Sequence, residues 1–386
     1  MRSVTYVADN DVTLLESGRT YLPALLAAIG KAEVEILYET YIYADDKTAR
    51  AITDALCAAA QRGVKVRVLA DWFGTGNRTA KQVGETLCAA GVHYRMFNPW
   101  FKRGLARSHR KIAVVDGTVA FVGGINTNDD WLHDYAPYAP LPAPRWDFAV
   151  RVRGPLVGEI HREAQAQWTR AGHLNLVRRI HLFREMRKRP PTLGERPMRA
   201  GLVVRDNLRN RRTIQRAYLQ AIGRAKKRVL MATPYFAPGR KFREALAQAA
   251  RRGVQVDLLI GVGEFRMQDA VASSFYPQLV GAGVRVHEYR KTQLHGKVAV
   301  VDDEWATVGS SNCDALSLFV NQEANVVVRD AGFASVLTRE IELGIADGVQ
   351  ICKEDLRQIG WVRRCGHEAA YLMYKLAMRL FAVGYA

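Results

Sequence analysis

Two stretches of this chain place a lysine two residues after a histidine. Residues 107–126 read RSHRKIAVVDGTVAFVGGIN, and residues 293–312 read QLHGKVAVVDDEWATVGSSN. Aligned without gaps they agree at ten of twenty positions, and the shared set includes the His, Lys, Asp, Gly and Asn. One His-x-Lys is noise. Two copies of HxKx4Dx6GxxN in matching contexts are not.

In extended backbone, side chains at i and i+2 share a face. His109 therefore stands beside Lys111, and His295 beside Lys297. If the two repeats face each other, two imidazoles and two ammonium groups meet in one cleft. The ammonium groups grip a phosphate, and their charge disfavours imidazolium. A neutral imidazole can attack phosphorus. The other can protonate the leaving alkoxide and then deprotonate an incoming hydroxyl. This chemistry requires neither a metal nor a cofactor. Asn126 and Asn312 offer amide donors to phosphoryl oxygens, and Gly123-Gly124 and Gly309-Ser310 allow close backbone approach. Each imidazole also needs a carboxylate to hold its tautomer. Asp147 (in RWDFAV) and Glu323 (in NQEANVVV) occupy matching places, each just before a strand.

The elements that must position these groups repeat in the same order. AAIGKAEVEILY (27–38) matches QAIGRAKKRVLM (220–231), AAAQRGVKVRVL matches AQAARRGVQVDLL, and AAGVHYRMF matches GAGVRVHEY. Apolar periodicity predicts helices at 21–31 and 48–61 and strands at 34–42, 64–69, 111–115, 119–122 and 149–152, a series that the second half repeats. The fold class is α/β: two duplicated domains, each a central sheet flanked by helices, with the site at their interface. The expected boundaries are 1–172 and 201–360 for the two domains, 173–200 for a basic connection, and 361–386 for an amphipathic tail.

The chain has 386 residues and a formal charge of +18, which points to an anionic partner. Its five cysteines form no CxxC pair, so a zinc site is not expected. The first eighteen residues, MRSVTYVADNDVTLLESG, hold no apolar h-region and no run of about 18 or more apolar residues occurs, so neither a secretory signal nor a membrane span is expected.

At the paired motifs the chain resembles the phospholipase D superfamily, and within it the bacterial cardiolipin synthases of the type without N-terminal membrane spans. The motifs are His109-Arg110-Lys111 with Asp116, and His295-Gly296-Lys297 with Asp302. The phrases FVGGIN and SLFVNQEANV carry the closer likeness. The resemblance implies a bilobal fold, a covalent phosphohistidine on His109, acid/base work by His295, and phosphatidyl transfer between two phosphatidylglycerol molecules. It also implies a supporting role for Asp116 and Asp302 within the catalytic motif. One departure is Gly124, which stands where many motifs have the serine kept at Ser310; the first half thus offers the phosphate one hydroxyl fewer. A phospholipase or nuclease of the same superfamily is the alternative, but no nucleic-acid-binding motif is present, and nucleic acid is not the expected partner.

The expected partner is an anionic phospholipid membrane, met peripherally at the cytoplasmic face. Three surfaces suit it. The first is the Arg-rich connection, continued by Arg205, Arg209, Arg211, Arg212 and Arg216. The second is the loop NPWFKRGL (98–105). The third is the tail, whose Ala369, Leu372, Met373, Leu376, Leu380 and Val383 recur at helical spacing, which suits either a helix lying in the interface or a terminal helix packed on the second domain. Removing 361–386 is expected to weaken vesicle binding and spare the fold.

Overall fold

The computed structural model describes residues 4–101, 104, 106–134, 139–172, 197–206 and 210–381. Most of the basic connection, residues 173–196, lies outside these, as do Arg209 and residues 382–386.

Fifteen strands among the described residues form one sheet. From one edge the order is His93–Phe97, Lys65–Asp71, Glu35–Thr40, Ile112–Val115, Val119–Gly123, Phe148–Arg153 and Val7–Glu16. Val7–Glu16 then pairs antiparallel with Met198–Arg205, with Val7 opposite Ala200 and Asn10 opposite Met198. From this join the second half runs outward through Glu323–Arg329, Trp305–Gly309, Val298–Val301, Arg228–Thr233, Gln255–Gly261 and Arg285–Tyr289. That is the first half's order again, so the duplication in sequence is a duplication in topology. Val349–Ile351 adds an edge strand with no counterpart among the described residues.

In each half three parallel strands are linked by helices, and an antiparallel hairpin follows. The helix Lys47–Gln61 shows why the sequence folds this way. Asp46 caps it by accepting from the Ala49 N–H at 2.8 Å, and Ile52, Leu56 and Ala59 recur at helical spacing to face the sheet.

The apolar core has three main parts. Each half has one beneath its outer helices. The third is shared: Leu37, Ile112, Val114 and Phe148 from the first half pack with Leu230, Val298, Leu337 and Ile341 from the second. Burying each such side chain is worth roughly 1.5–3 kcal/mol. Because this core lies across the join, it fixes the two motif strands relative to each other.

The tail packs on the second half, one of the two readings its sequence leaves open. Trp361–Phe381 is a helix, and Ala370 and Met378 are buried in the second half's core, with Tyr371, Tyr374 and Ala377 packed against it. Truncation at 361 would expose that core, so it would not spare the fold. Leu372, Met373 and Leu376 point outward.

Candidate active site

The His-x-Lys segments do not lie within strands. They are the extended lead-ins to Ile112–Val115 and Val298–Val301. Each lead-in is held by the other half. His109 N–H donates to the Gln322 carbonyl at 2.9 Å, and His295 N–H donates to the Trp146 carbonyl at 2.8 Å. Single parallel bridges, Ser108 to Gln322 and Trp146 to Leu294, mark these crossings. Gln322 and Trp146 directly precede Glu323 and Asp147, so each crossing delivers a carboxylate to the opposite histidine.

The carboxylates are accordingly exchanged. His109 Nδ1 lies 3.1 Å from Glu323 Oε2 and 3.1 Å from the Ser310 carbonyl oxygen. A carbonyl only accepts, so Nδ1 carries the proton and Nε2 keeps its lone pair. His295 Nδ1 donates to Asp147 Oδ2 at 2.6 Å. All four side chains are buried.

The lysines sit where the i, i+2 argument put them. Lys111 Nζ donates to the His109 carbonyl at 2.9 Å, and Lys297 Nζ donates to the His295 carbonyl. Lys111 also lies over the Tyr41 ring, 5.1 Å from its centroid, and Tyr41 meets His109 edge-on. Burial, and then the charge of Lys297, pull Lys111 down to about 7. Burial, against four nearby carboxylates, leaves Lys297 at about 8. His109 is held well below the ordinary histidine range by burial, then by Lys111, Lys297 and His295. His295 is lowered by burial and Lys297, but Asp147 works in the other direction.

The two carboxylates differ. Burial pushes Glu323 up to about 8. Burial also opposes ionisation of Asp147, but Lys297 and His295 outweigh it and hold that carboxyl below its usual range. At neutral pH His295 faces a full negative charge and His109 faces a largely protonated acid. The first arrangement suits a proton carrier, and the second suits a neutral nucleophile.

The hydroxyl missing at Gly124 has a different meaning from the one read in the sequence. Ser310 Oγ is spent on Glu323 Oε2 and accepts the Ala324 N–H at 3.0 Å. It serves the carboxylate. At Gly124 a Cβ would stand 2.2 Å from Asp147 Oδ1. The shorter acid needs that space.

Asp116 and Asp302, grouped above with the catalytic motif, lie at the far end of their strands, roughly 15 Å from the lysines by strand rise. Asp116 accepts the Glu33, Val34 and Glu35 N–H groups at 2.8–3.0 Å. Asp302 does the same for Lys226, Lys227 and Arg228. Both have φ of 52°. Their work is to tie the hairpin to the start of the neighbouring strand. Asn126 Oδ1 accepts the Ile42 N–H at 3.2 Å, which leaves its NH2 end as the donor. Asn312 is buried on the matching segment.

Arg205 does not belong to the basic surface. It is buried and donates to the Phe319 and Asn321 carbonyls. Sequence reasoning also missed Arg110, whose guanidinium turns away from the lysines to Glu39 at 3.1 Å and Glu163 at 2.8 Å. Its counterpart is Gly296, where a Cβ would press on Phe148 at 3.0 Å. Asp134, Glu264 and Gln293, which gather near His295, were missed too. Asp134 and Glu264 belong to no repeated phrase, so the duplication gave no signal for them.

A duplicated α/β fold with crossed His–carboxylate pairs and two buried lysines defines a phospholipase D-type protein. The model of the family described as "Cardiolipin synthase, PLD-like domain" matches residues 25–134 and 218–343. Cardiolipin synthase B of Escherichia coli K12 is 40% identical over 355 residues, covering 90% of this chain and 83% of that one. Cardiolipin synthase A of Pseudomonas fluorescens is 31% identical over 379 residues, covering 95% and 75%. Among solved structures, phosphatidylserine synthase of Haemophilus influenzae superposes with a TM-score of 0.73 at 15% identity, covering 97% and 96%, which speaks to the fold. The chain belongs to the cardiolipin synthase, PLD-like domain family.

Proposed function

We propose that this protein is a cardiolipin synthase that transfers a phosphatidyl group between two phosphatidylglycerol molecules. His109 Nε2 attacks phosphorus, His295 protonates the departing glycerol, and a phosphohistidine forms. The terminal hydroxyl of a second phosphatidylglycerol then gives its proton to His295 and displaces His109. Lys111 and Lys297, with the amides of Asn126 and Asn312, balance the phosphoryl charge. The observation that carries this reading is the Ser310 carbonyl beside His109 Nδ1, which commits the proton there and frees Nε2. Likeness to the cardiolipin synthases over nine-tenths of the chain supports the lipid substrate.

The protein works as a peripheral enzyme on the cytoplasmic face of the membrane. No described helix is long and apolar enough to cross a bilayer. The outward Leu372, Met373 and Leu376, with Trp361 and Val362, form an apolar face on the tail helix, and Trp100 in the 98–105 loop is 67% exposed. Both suit insertion at headgroup depth.

The test is incubation with phosphatidylglycerol vesicles in excess EDTA, with products identified by mass spectrometry. Cardiolipin and free glycerol, absent with His109→Ala, are expected. Phosphatidic acid alone would make the protein a hydrolase.

A further inference from the structure

His295 has a second carboxylate neighbour that the transfer scheme does not use. Asp134 Oδ2 lies 3.9 Å from His295 Nε2, the nitrogen that Asp147 leaves free. Arg145 Nη2 holds Asp134 Oδ1 at 2.9 Å, and Asn128 donates to the same oxygen. Arg145 and Asn128 with the other charges around them hold this buried acid below its usual range, against burial itself. Gln293 Nε2 then links Asp134, at 3.4 Å, to Glu264 Oε1, at 2.7 Å. Tyr235 donates to Glu264 Oε2 at 2.9 Å. Alongside is a cavity of about 250 Å³, lined by His133, Leu141, Glu264, Arg290, Thr292 and Gln293 among others.

A carboxylate beside the reacting nitrogen repels a phosphoryl anion, so this cluster is not part of the phosphate grip. Its chemistry suits a ligand that donates O–H bonds. Buried Arg145 balances the charge of Asp134. Glu264 is pushed up to about 7 by burial and then by Asp134, so it is only partly charged at neutral pH. That balance favours an uncharged polyol over an ammonium group.

We propose that Asp134, Glu264 and Gln293 form the subsite for the glycerol headgroup that leaves in the first half-reaction and for the acceptor glycerol that enters in the second. The inference rests on the phosphatidyl-transfer reading above. The leaving glycerol donates its two free hydroxyls to Asp134 and Glu264 while the oxygen it takes from phosphorus faces His295; the acceptor, which carries its own phosphate on one oxygen, donates its single inner hydroxyl to this pair while its terminal oxygen faces His295. In the second step that oxygen bonds to phosphorus, its proton passes to His295 Nε2, and the P–N bond breaks with its electron pair returning to His109. The subsite thus selects the alcohol, and water, which has no second hydroxyl to donate there while its oxygen faces His295, is disfavoured.

The reverse reaction tests this. The full-length protein, given cardiolipin vesicles with isotopically labelled glycerol, 1-propanol and ethanolamine in competition, yields phosphatidyl products countable by mass spectrometry, the label separating phosphatidylglycerol made from added glycerol from the phosphatidylglycerol that every cleavage of cardiolipin releases. Wild type is expected to prefer glycerol to propanol, and Glu264→Gln and Asp134→Asn are expected to lower that ratio about tenfold, the loss of one good hydrogen bond to the substrate. Tyr235→Phe, which loosens Glu264 without touching the cavity's charge, should lower the ratio in the same direction if the carboxylate variants prove unfolded. Equal loss of both products, with the ratio fixed, would make the cluster structural and overturn the proposal. Preference for ethanolamine in the wild type would overturn the polyol assignment. Phosphatidic acid with no alcohol product would instead sink the transfer reading, and the subsite with it.

Discussion

Glu323 lies 214 residues beyond His109, and its Oε2 sits 3.1 Å from that histidine's Nδ1. The reciprocal contact joins Asp147 to His295 across 148 residues at 2.6 Å. Neither repeat supplies the carboxylate that meets its own motif histidine. The exchange makes the interface of the halves a condition for chemistry, and the apolar core shared across the join maintains it.

The two carboxylates are not equivalent, and their amide variants should differ. Asp147 uses both oxygens as acceptors, one for His295 Nδ1–H and one for the Phe148 N–H at 2.8 Å. Asparagine has one acceptor, so one bond must fail. If the amide NH2 faces His295, the wrong tautomer is imposed. Asp147→Asn is expected to lower kcat by about 10²–10⁴-fold, in line with a misassigned tautomer in a catalytic triad. Glu323 is already largely protonated at neutral pH, so Glu323→Gln should cost less than about tenfold in kcat. Steady-state kinetics at one pH decides between unequal and equal losses.

Gly124→Ser should damage stability and activity together. The new Cβ collides with Asp147 Oδ1, and overpacking of this kind costs about 1–3 kcal/mol. Thermal melting should fall, and kcat should fall with it because Asp147 is displaced from His295. An unaffected kcat would show that Asp147 does not govern that imidazole.

Asp116→Ala should do the opposite, losing stability with little loss of chemistry. Its carboxylate accepts three N–H groups at the hairpin, and charged hydrogen bonds of this sort are worth about 1.5–3 kcal/mol. A lower melting temperature with kcat within a few-fold at a permissive temperature is expected; loss of kcat in folded protein would return Asp116 to the reacting centre.

Binding should weaken as pH rises. Lys111 at about 7 and Lys297 at about 8 lose their protons across this range in the free enzyme. A bound phosphodiester favours the charged lysine, so above these values binding requires proton uptake. The KM is expected to climb between pH 7 and 9 by up to about tenfold per unit for each lysine involved. The kcat profile should hold to higher pH, since bound phosphate raises both lysines. A KM independent of pH would mean that the lysines stay charged.

Much of this was legible because the duplication offered an internal comparison. The series of helices and strands along the chain, the two His-x-Lys segments and the matching places of Asp147 and Glu323 all follow from aligned repeats. What did not follow was which carboxylate meets which histidine. That is set by chain crossing at Gln322 and Trp146, a contact across the join that no local pattern encodes. Ser310 was misread for a related reason: a hydroxyl near a phosphate site looks like a ligand until its acceptor, Glu323, is placed beside it. Arg205 reads as surface charge by type, yet it ends a central strand, where it donates to the Phe319 and Asn321 carbonyls.

The tail helix carries a separable test. Leu372→Ser, Met373→Ser and Leu376→Ser together keep the buried face formed by Ala370 and Met378. The triple variant should leave melting unchanged and reduce affinity for anionic vesicles at least tenfold, because a tenfold loss needs the three side chains to give up together only a fraction of the roughly 1.5–3 kcal/mol that full burial of each is worth. Unchanged sedimentation would remove this helix from the membrane account.

The most direct test of the central claim is single-turnover trapping. Protein mixed with phosphatidylglycerol labelled at phosphorus is quenched, digested and mapped. Label should appear on the peptide that contains His109, as an acid-labile adduct. It should vanish with His109→Asn and persist longer with His295→Asn. Label on the His295 peptide, surviving in His109→Asn, would reverse the roles of the two histidines.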